Sequence, residues 1–464
     1  MPIRLLAVVL AACLGACSAV HECTDGDTQA CGLGGAQLCV DGHWADCSES
    51  YQGYDASPLS VDAPVRADTS PPSPIDASAL DTDPYEGDVF SPGACTWSAG
   101  PPQLLTTGPS GGMMLFPLAL GSLGTLGTEA IHVPWTGLTD GIVRAQRIGA
   151  DGLAGVAAQP LMPAPTLGVA YGTILEHGAT RAALVGPTRG SMIVPLAADD
   201  TPTGTQLALD AGRCWDLRAR DTVDEYTFLC AATDASPGIT WHRIDVSGAP
   251  LQTVVIAADA VDAVRVSRGS DEAPFLVVAQ AHAGITAQIF DGRAVAMAAP
   301  TVIEGTADGA LLRGVPPVAT AIGIQPAWLL ALDTAIGDGT YGITTRMLDA
   351  DGVSTRPAFL LPGVRSQRGI ASFDITGAGD DVMLVWTEWV DRGTSAIAMH
   401  ALPLSAEGFP RGSILDLGRF TSAGVAPDAI HVASTSQGTV VVYHARDTSI
   451  SPDLQLYSRL LTCR

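Results

Sequence analysis

Carboxylates, guanidinium groups, imidazoles and thiols are the side chains of this chain that could do chemistry, and their spacing decides which chemistry is open to them. Gly108-Pro109-Ser110-Gly111-Gly112 fits the GxSxG pattern of an activated serine. That device needs a strand before the serine and a helix after it. The following MMLFPLAL reads as another strand, so the match supplies no nucleophile. The nine histidines form no HExxH and no pair at ligand spacing, and no metal centre is expected. His132, His242, His400 and His444 fall within apolar segments, where structural roles are expected. Asp216, Arg218, Arg265, Asp374 and His431 could recognise a polar ligand if the fold brings them to one place; otherwise they solvate the surface that carries them. The Lys+Arg total of 24 is made entirely of arginine. Without lysine, Schiff-base chemistry with pyridoxal phosphate, a phosphate-cradling loop lysine, a kinase lysine and Ser-Lys hydrolysis are all excluded. No cofactor is expected.

The thiols point in another direction. Residues 1–4 carry one positive charge and Leu5 to Leu14 form an apolar run, too short for the roughly 20 residues that span a bilayer but suited to an export signal. Leu14-Gly15-Ala16-Cys17 resembles the lipobox of bacterial lipoproteins. The resemblance implies removal of residues 1–16, a diacylglycerylated Cys17 and an acylated new amine, hence a membrane partner through the lipid anchor. Two or three acyl chains hold a protein firmly where one holds it only marginally. Ser18 stands where an Asp would suggest inner-membrane retention, which by the same resemblance points to the outer membrane or cell surface. The alternative is an ordinary secretory signal cut elsewhere.

Of the ten cysteines, Cys13 leaves with the signal and Cys17 takes lipid. Cys23, Cys31, Cys39, Cys47, Cys95, Cys214, Cys230 and Cys463 remain, an even set that reads as four disulfides in an oxidising compartment. Four of them lie in residues 17–50, with seven residues between successive cysteines from Cys23 to Cys47. A segment this short cannot bury enough apolar surface to fold alone, so cross-links must hold it. Zinc ligands would come in pairs two to four residues apart, and three disulfide connectivities stay open. Trp44 reads as a plug over the bridges rather than a ligand-stacking ring. The segment resembles small Cys-Gly-Trp modules near the start of bacterial surface lipoproteins.

Residues 51–94 read as a disordered, extended linker. Residues 48–94 hold nine acids, one arginine and seven prolines, and prolines block ladder hydrogen bonds while like charges repel. Asp81 and Asp83 resemble the start of a calcium loop, but Tyr85 and Glu86 stand where a third oxygen ligand and the turn glycine belong. The formal net charge of −24 argues against nucleic acid and anionic lipid surfaces, both of which need clustered cations.

The elements that must position any site come from a repeat in residues 95–464. A strongly apolar segment recurs at Glu129, Arg181, Glu225, Pro274, Pro326, Asp381 and Gly438, at intervals of 52, 44, 49, 52, 55 and 57 residues. A second strand follows, as at Ile142, Gly238, Gly284, Tyr341 and Ala396. A shorter strand precedes each, as CWDLRA from Cys214, and a fourth follows several, as RPAFLLPG from Arg356. Four short strands per unit with Gly/Asp turns, seven times over, predict an all-β, seven-bladed β-propeller. A blade exposes two sheet faces, so the ring must close.

The last unit stops after its third strand, LQLYSRLLTC. PPQLLTTG after Cys95 matches the missing strand and is expected to close the ring as an N-terminal outer strand. Aligning the units places Cys95 and Cys463 at one level, where a disulfide would staple the seam, worth at most roughly 5 to 6 kcal/mol on chain-entropy grounds. Cys214 and Cys230 flank the Asp221-Thr222-Val223-Asp224 turn symmetrically and are expected to bridge, the alternative being two buried thiols. On this frame Asp216, Arg218, Arg265, Asp374 and His431 line the central channel. Sialidase-type propellers resemble the chain only in architecture, because their repeated SxDxGxTW turn is absent. The expectation is a monomeric, lipid-anchored, non-enzymatic envelope protein that presents a propeller to protein or glycan. The alternative is an exported carbohydrate-active hydrolase or lyase on the same scaffold.

Overall fold

The computed structural model is all-β and divides into two compact units, Met1–Ala67 and Asp68–Arg464. It describes residues 28–31, 35–40 and 43–44, and residues 96–464 except 108–112, 116–129, 138–141, 156, 164–168, 178–179, 188–190, 200, 210–213, 220–223, 232–237, 268–272, 282–283, 306–317, 323–326, 337–339, 379–380, 391–395, 422–429 and 446–454.

In the first unit, Thr28–Cys31 pairs antiparallel with Gly35–Val40, which pairs in turn with His43–Trp44. Register sets Cys31 opposite Gly35 and Cys39 opposite Trp44. Cys17, Cys23, Cys47, Cys95, the linker 51–94 with Asp81 and Asp83, and Gly108 to Gly112 lie outside the described residues.

The described strands of the second unit form seven antiparallel sheets, each built from consecutive segments. Sheet I holds Met113–Leu115, Ala130–Gly137, Ile142–Gly149 and Gln159–Pro163, and sheet II holds Val169–His177, Thr180–Pro187, Met192–Pro195 and Leu207–Ala208. Sheet III comprises Cys214–Ala219, Glu225–Ala231, Ile239–Asp245 and Pro250–Ala257, and sheet IV comprises Ala260–Ser267, Phe275–Ala281, Gly284–Phe290 and Thr301–Gly305. Sheet V follows as Val318–Ala321, Trp328–Ile336, Thr340–Leu348 and Phe359–Ser366, and sheet VI as Ile370–Ala378, Asp381–Trp389, Ala396–Ser405 and Leu415–Thr421. Sheet VII contains Ile430–Thr435, Gly438–Ala445 and Gln455–Cys463, completed by Trp97–Ala99 and Gln103–Thr107.

The seven apolar segments read from the sequence are the second strands. Their continuous hydrophobic character has a packing cause: a sheet covered on both faces buries successive side chains to either side, and Trp328, Leu329, Leu330 and Ala331 are all fully buried. Apolar clusters fill the gap between each sheet and the next. Trp215, Trp241, Phe275 and Phe290 pack between III and IV, and Trp328, Leu330, Ile289 and Leu348 between IV and V. Further clusters lie between I and II, II and III, V and VI, and VI and VII. First strands of neighbouring sheets run beside one another, as Ala260–Ser267 beside Val318–Ala321 and Ile370–Ala378 beside Ile430–Thr435.

One turn recurs between third and fourth strands. In sheets III, IV and V an aspartate (Asp245, Asp291, Asp349) accepts the backbone N–H two and four residues ahead on its Oδ1. Ser405 does the same in sheet VI through Oγ. The fourth residue of the turn is left-handed, as at Gly248, Gly352 and Gly408, with Ala294 adopting φ 58° in sheet IV. A Cβ on Gly408 would lie 2.7 Å from Leu329 Cδ1 and 3.0 Å from Thr345 Oγ1 in sheet V. Gly408→Ala should therefore combine left-handed strain with overpacking and cost about 2 kcal/mol or more in denaturant unfolding. Gly204→Ala, also left-handed but with open space around it, should show only the strain of about 1 kcal/mol.

The carboxyl-terminal strand carries the amino-terminal segment along its edge, with Leu104 opposite Tyr457 and Trp97 opposite Cys463. The expected single strand is two, because Pro101 and Pro102 have no N–H to continue the ladder; Gly100 N–H donates to Leu460 O at 2.8 Å just before them. Cys463 is disulfide-bonded. Sheet VII also reaches sheet I. Ser458 Oγ donates to Gly152 O, and Thr435 Oγ1 to Ala150 O at 2.9 Å. The first of these repeats the bond of Thr345 Oγ1 in sheet V to Gly408 O in sheet VI.

Candidate functional site

Three of the five polar candidates meet between the first strands of sheets III and IV. A bulge between Trp215 and Arg218 puts one extra residue into Cys214–Ala219, and Asp216 takes φ 57° within it, a conformation that aspartate tolerates better than most residues. The twist turns the fully buried carboxylate onto two cations. Oδ2 accepts from Arg265 Nε and Oδ1 from Arg218 Nε at 3.0 Å. Arg265 is itself buried, 2% exposed, and donates further to Asp216 O at 2.9 Å and Thr227 Oγ1 at 3.1 Å. Its guanidinium lies 5.5 Å from the Phe275 ring centroid. Arg218 Nη2 reaches Arg265 O at 3.3 Å and Trp215 Nε1 reaches Ala263 O at 3.0 Å. Together these bonds latch sheet III to sheet IV.

Asp374 and His431 belong to the seam between sheets VI and VII. Asp374 Oδ1 accepts Ile375 N–H at 2.8 Å, and Oδ2 accepts Val432 N–H at 2.9 Å across the seam. Burial outweighs those two donors and raises its carboxyl to about 7. His431 is buried immediately before Val432. Beside them, Ser434 Oγ donates to Gly377 O, and Gly377 N–H donates to Thr320 Oγ1 of sheet V at 3.2 Å. The five candidates thus fall into two groups on different pairs of sheets.

Cys214 and Cys230 stand directly opposite each other in register and form a disulfide with Cα atoms 4.0 Å apart. It fixes the strand one turn of the pleat before the bulge, so it also constrains the approach of Asp216. His242, His400 and His444 pack within the sheets, while the side chain of His132 lies outside the described residues. His242 stacks on Phe228 at 5.3 Å and bonds Thr240 Oγ1 at 2.8 Å, and burial lowers it. His400 lies over Trp386 and 3.3 Å from Glu388. His444 is buried with neither ring nitrogen hydrogen-bonded, and burial pushes it down to about 4. Sequence reasoning did not find Thr227, Thr320 or the Val432 N–H, since hydroxyls and backbone donors carry no distinctive pattern. Among the described residues no three His, Cys, Asp or Glu side chains are grouped to hold a metal ion.

No family model and no curated protein matches the chain. Among solved structures it is similar to an oligogalacturonate lyase in complex with manganese, at TM-score 0.43 and 10% identity over 79% of this chain and 98% of that one. It is similar also to BBS1N in complex with ARL6DN, at TM-score 0.43 and 10% identity over 77% and 97% of the two chains. A third is the Dos1 propeller, at TM-score 0.38 and 11% identity over 71% and 75%. Similarity of this degree assigns no activity.

Proposed function

We propose that this chain is a lipid-anchored cell-envelope protein presenting a closed seven-bladed β-propeller as a non-enzymatic module that binds protein or glycan. The observation that carries the reading is the use of the inner-strand carboxylates: Asp216 is bonded to Arg265 of the next sheet and Asp374 to Val432 of the next. Two of the polar groups expected along the channel are thus bonded to the neighbouring sheet, which favours a scaffold. Closure is supported by the hydroxyl-to-turn bond from sheet VII to sheet I and by residues 97–107 alongside the final strand. The anchor rests on Leu14 to Cys17.

The anchor is tested in a bacterial host supplied with labelled palmitate. Cys17→Ser should abolish labelling and move the protein from the membrane to the soluble fraction; label retained in the variant would overturn the anchor. Binding is tested by exposing the purified protein to a glycan array, envelope extracts and soluble polysaccharides. A retained ligand with no released product supports the module. New reducing or unsaturated sugar ends would overturn it in favour of an exported hydrolase or lyase.

A further inference from the structure

Among the described residues of the second unit, the exposed large hydrophobic side chains are concentrated on sheets III to V. Leu251 and Val255, the latter 63% exposed, lie on the outer strand of III. Val295 and Met297 follow the third strand of IV, and Val302, 66% exposed, lies on its outer strand. Val353 occupies the repeated turn of V. Outside these three sheets, the described large hydrophobics left exposed are Leu104 and Leu153.

Two contacts tie a turn to the neighbouring sheet. Gln252 Nε2 in the outer strand of III donates to Arg293 O in the turn of IV at 3.2 Å. The turn of V rests on sheet IV, where a Cβ on Gly352 would lie 3.2 Å from Ile289 Cγ1. Exposed apolar side chains gathered on neighbouring sheets are a candidate interaction site. Each of the three turns pairs a carboxylate with an exposed valine, Asp245 with Val246, Asp291 with Val295 and Asp349 with Val353, and Asp351 is exposed within the third. Asp245 stays charged, because Ser247 and the turn N–H groups hold its carboxyl below the usual range. A second copy of this chain or an anionic bilayer would bring like charge against a molecule of net charge −24.

We infer that the outer face of sheets III to V is a docking surface for a cationic protein segment whose aliphatic side chains seat between the turn carboxylates. This rests on the binding-module reading and names the partner class. Arginine or lysine side chains would meet the turn acids, and the apolar side chains would cover the valines that water now touches.

The probe is an amphipathic lysine–leucine peptide titrated into the full chain at physiological ionic strength, followed by fluorescence anisotropy. The triple substitution Val295→Ser, Met297→Ser, Val302→Ser, at exposed positions that leave the core intact, should weaken binding by roughly tenfold. Asp351→Asn should weaken it by roughly twofold and reduce its salt dependence. Leu104→Ser with Leu153→Ser should leave it unchanged. The inference is overturned if the wild-type chain does not bind the peptide, if the triple variant binds equally, if a glutamate–leucine peptide binds as well, or if the chain self-associates through this face. A glycan captured by wild-type chain that ignores the peptide would remove this inference and leave the binding module standing. Polysaccharide turnover would remove the module itself.

Discussion

Asp216→Ala should destabilise the second unit by about 3–5 kcal/mol, the cost of leaving a buried ion-pair partner uncompensated. The reason is the position of Arg265, which is 2% exposed and has its Nε directed at the lost carboxylate. Water cannot take the place of that acceptor at such burial. Asp216→Asn separates charge from shape. Asparagine tolerates the left-handed φ of 57°, and its backbone carbonyl still accepts from Arg265 Nη2, so this variant should lose part of the alanine cost. Arg265→Met on the Asp216→Asn background removes the buried cation and should recover stability relative to Asp216→Asn alone, because an apolar side chain there needs no partner. Chemical denaturation of wild type, Asp216→Asn, Arg265→Met alone and the double variant gives the coupling energy. If Asp216→Ala unfolds at the wild-type denaturant concentration, the latch between sheets III and IV contributes nothing and the scaffold reading loses its main support. Equal effects of Asp216→Asn with and without Arg265→Met would show instead that the strained bulge, not the ion pair, sets the cost.

What could be read from the sequence follows from how far apart the interacting groups lie. The second strands were legible because burial on both faces writes itself into a local run such as WLLAL or VVVYHA, recurring at nearly even intervals. Met192–Pro195 and Leu207–Ala208 were not, since four and two residues are too few to establish a period. The outer strand beside the carboxyl-terminal strand is legible because PPQLLTTG matches RPAFLLPG, while Pro101 and Pro102 divide it in two. Cys214 opposite Cys230 needed only a symmetric turn, a local property. Asp216 was recognisable as a polar residue on an inner strand, but its partner Arg265 is 49 positions away and the left-handed bulge has no glycine to announce it. Asp374 is harder still: its cross-seam partner is the backbone N–H of Val432, 58 positions away, and no side-chain pattern encodes a main-chain donor. The sequence therefore identifies which polar groups fall on the first strands, and only the packing of one sheet on the next decides whether they face a ligand or each other.

Asp374 and His444 should give the second unit opposite pH dependences over the same interval, and substituting either should expose the other. Asp374 has its folded pKa raised by burial to about 7. Between about pH 4 and 7 the folded state keeps a proton that the unfolded state has released, so this group's stabilisation is full below the unfolded value and is lost as pH rises through 7. The span corresponds to about 4 kcal/mol. His444 has its folded pKa lowered by burial to about 4, with neither ring nitrogen hydrogen-bonded to share a charge. Below pH 6.5 the unfolded state takes up a proton that the folded state refuses, so stability falls as pH drops toward 4, by about 3 kcal/mol. The two slopes nearly cancel in the wild-type protein. Asp374→Asn removes the group that favours acid, so the stability difference between wild type and this variant should be greater at pH 4.5 than at pH 8 by about 3 kcal/mol. His444→Phe removes the opposing group, so the wild-type advantage over it should be smaller at pH 4.5 than at pH 7 by about 2–3 kcal/mol. Every other ionisable group contributes equally to both members of each comparison and drops out of the difference. Urea midpoints at the stated pH values decide the matter. A difference between wild type and Asp374→Asn that does not change with pH would mean that the Asp374 carboxyl stays ionised across the seam. A pH-independent difference for His444→Phe would mean that the buried imidazole finds a hydrogen-bond acceptor when it is charged.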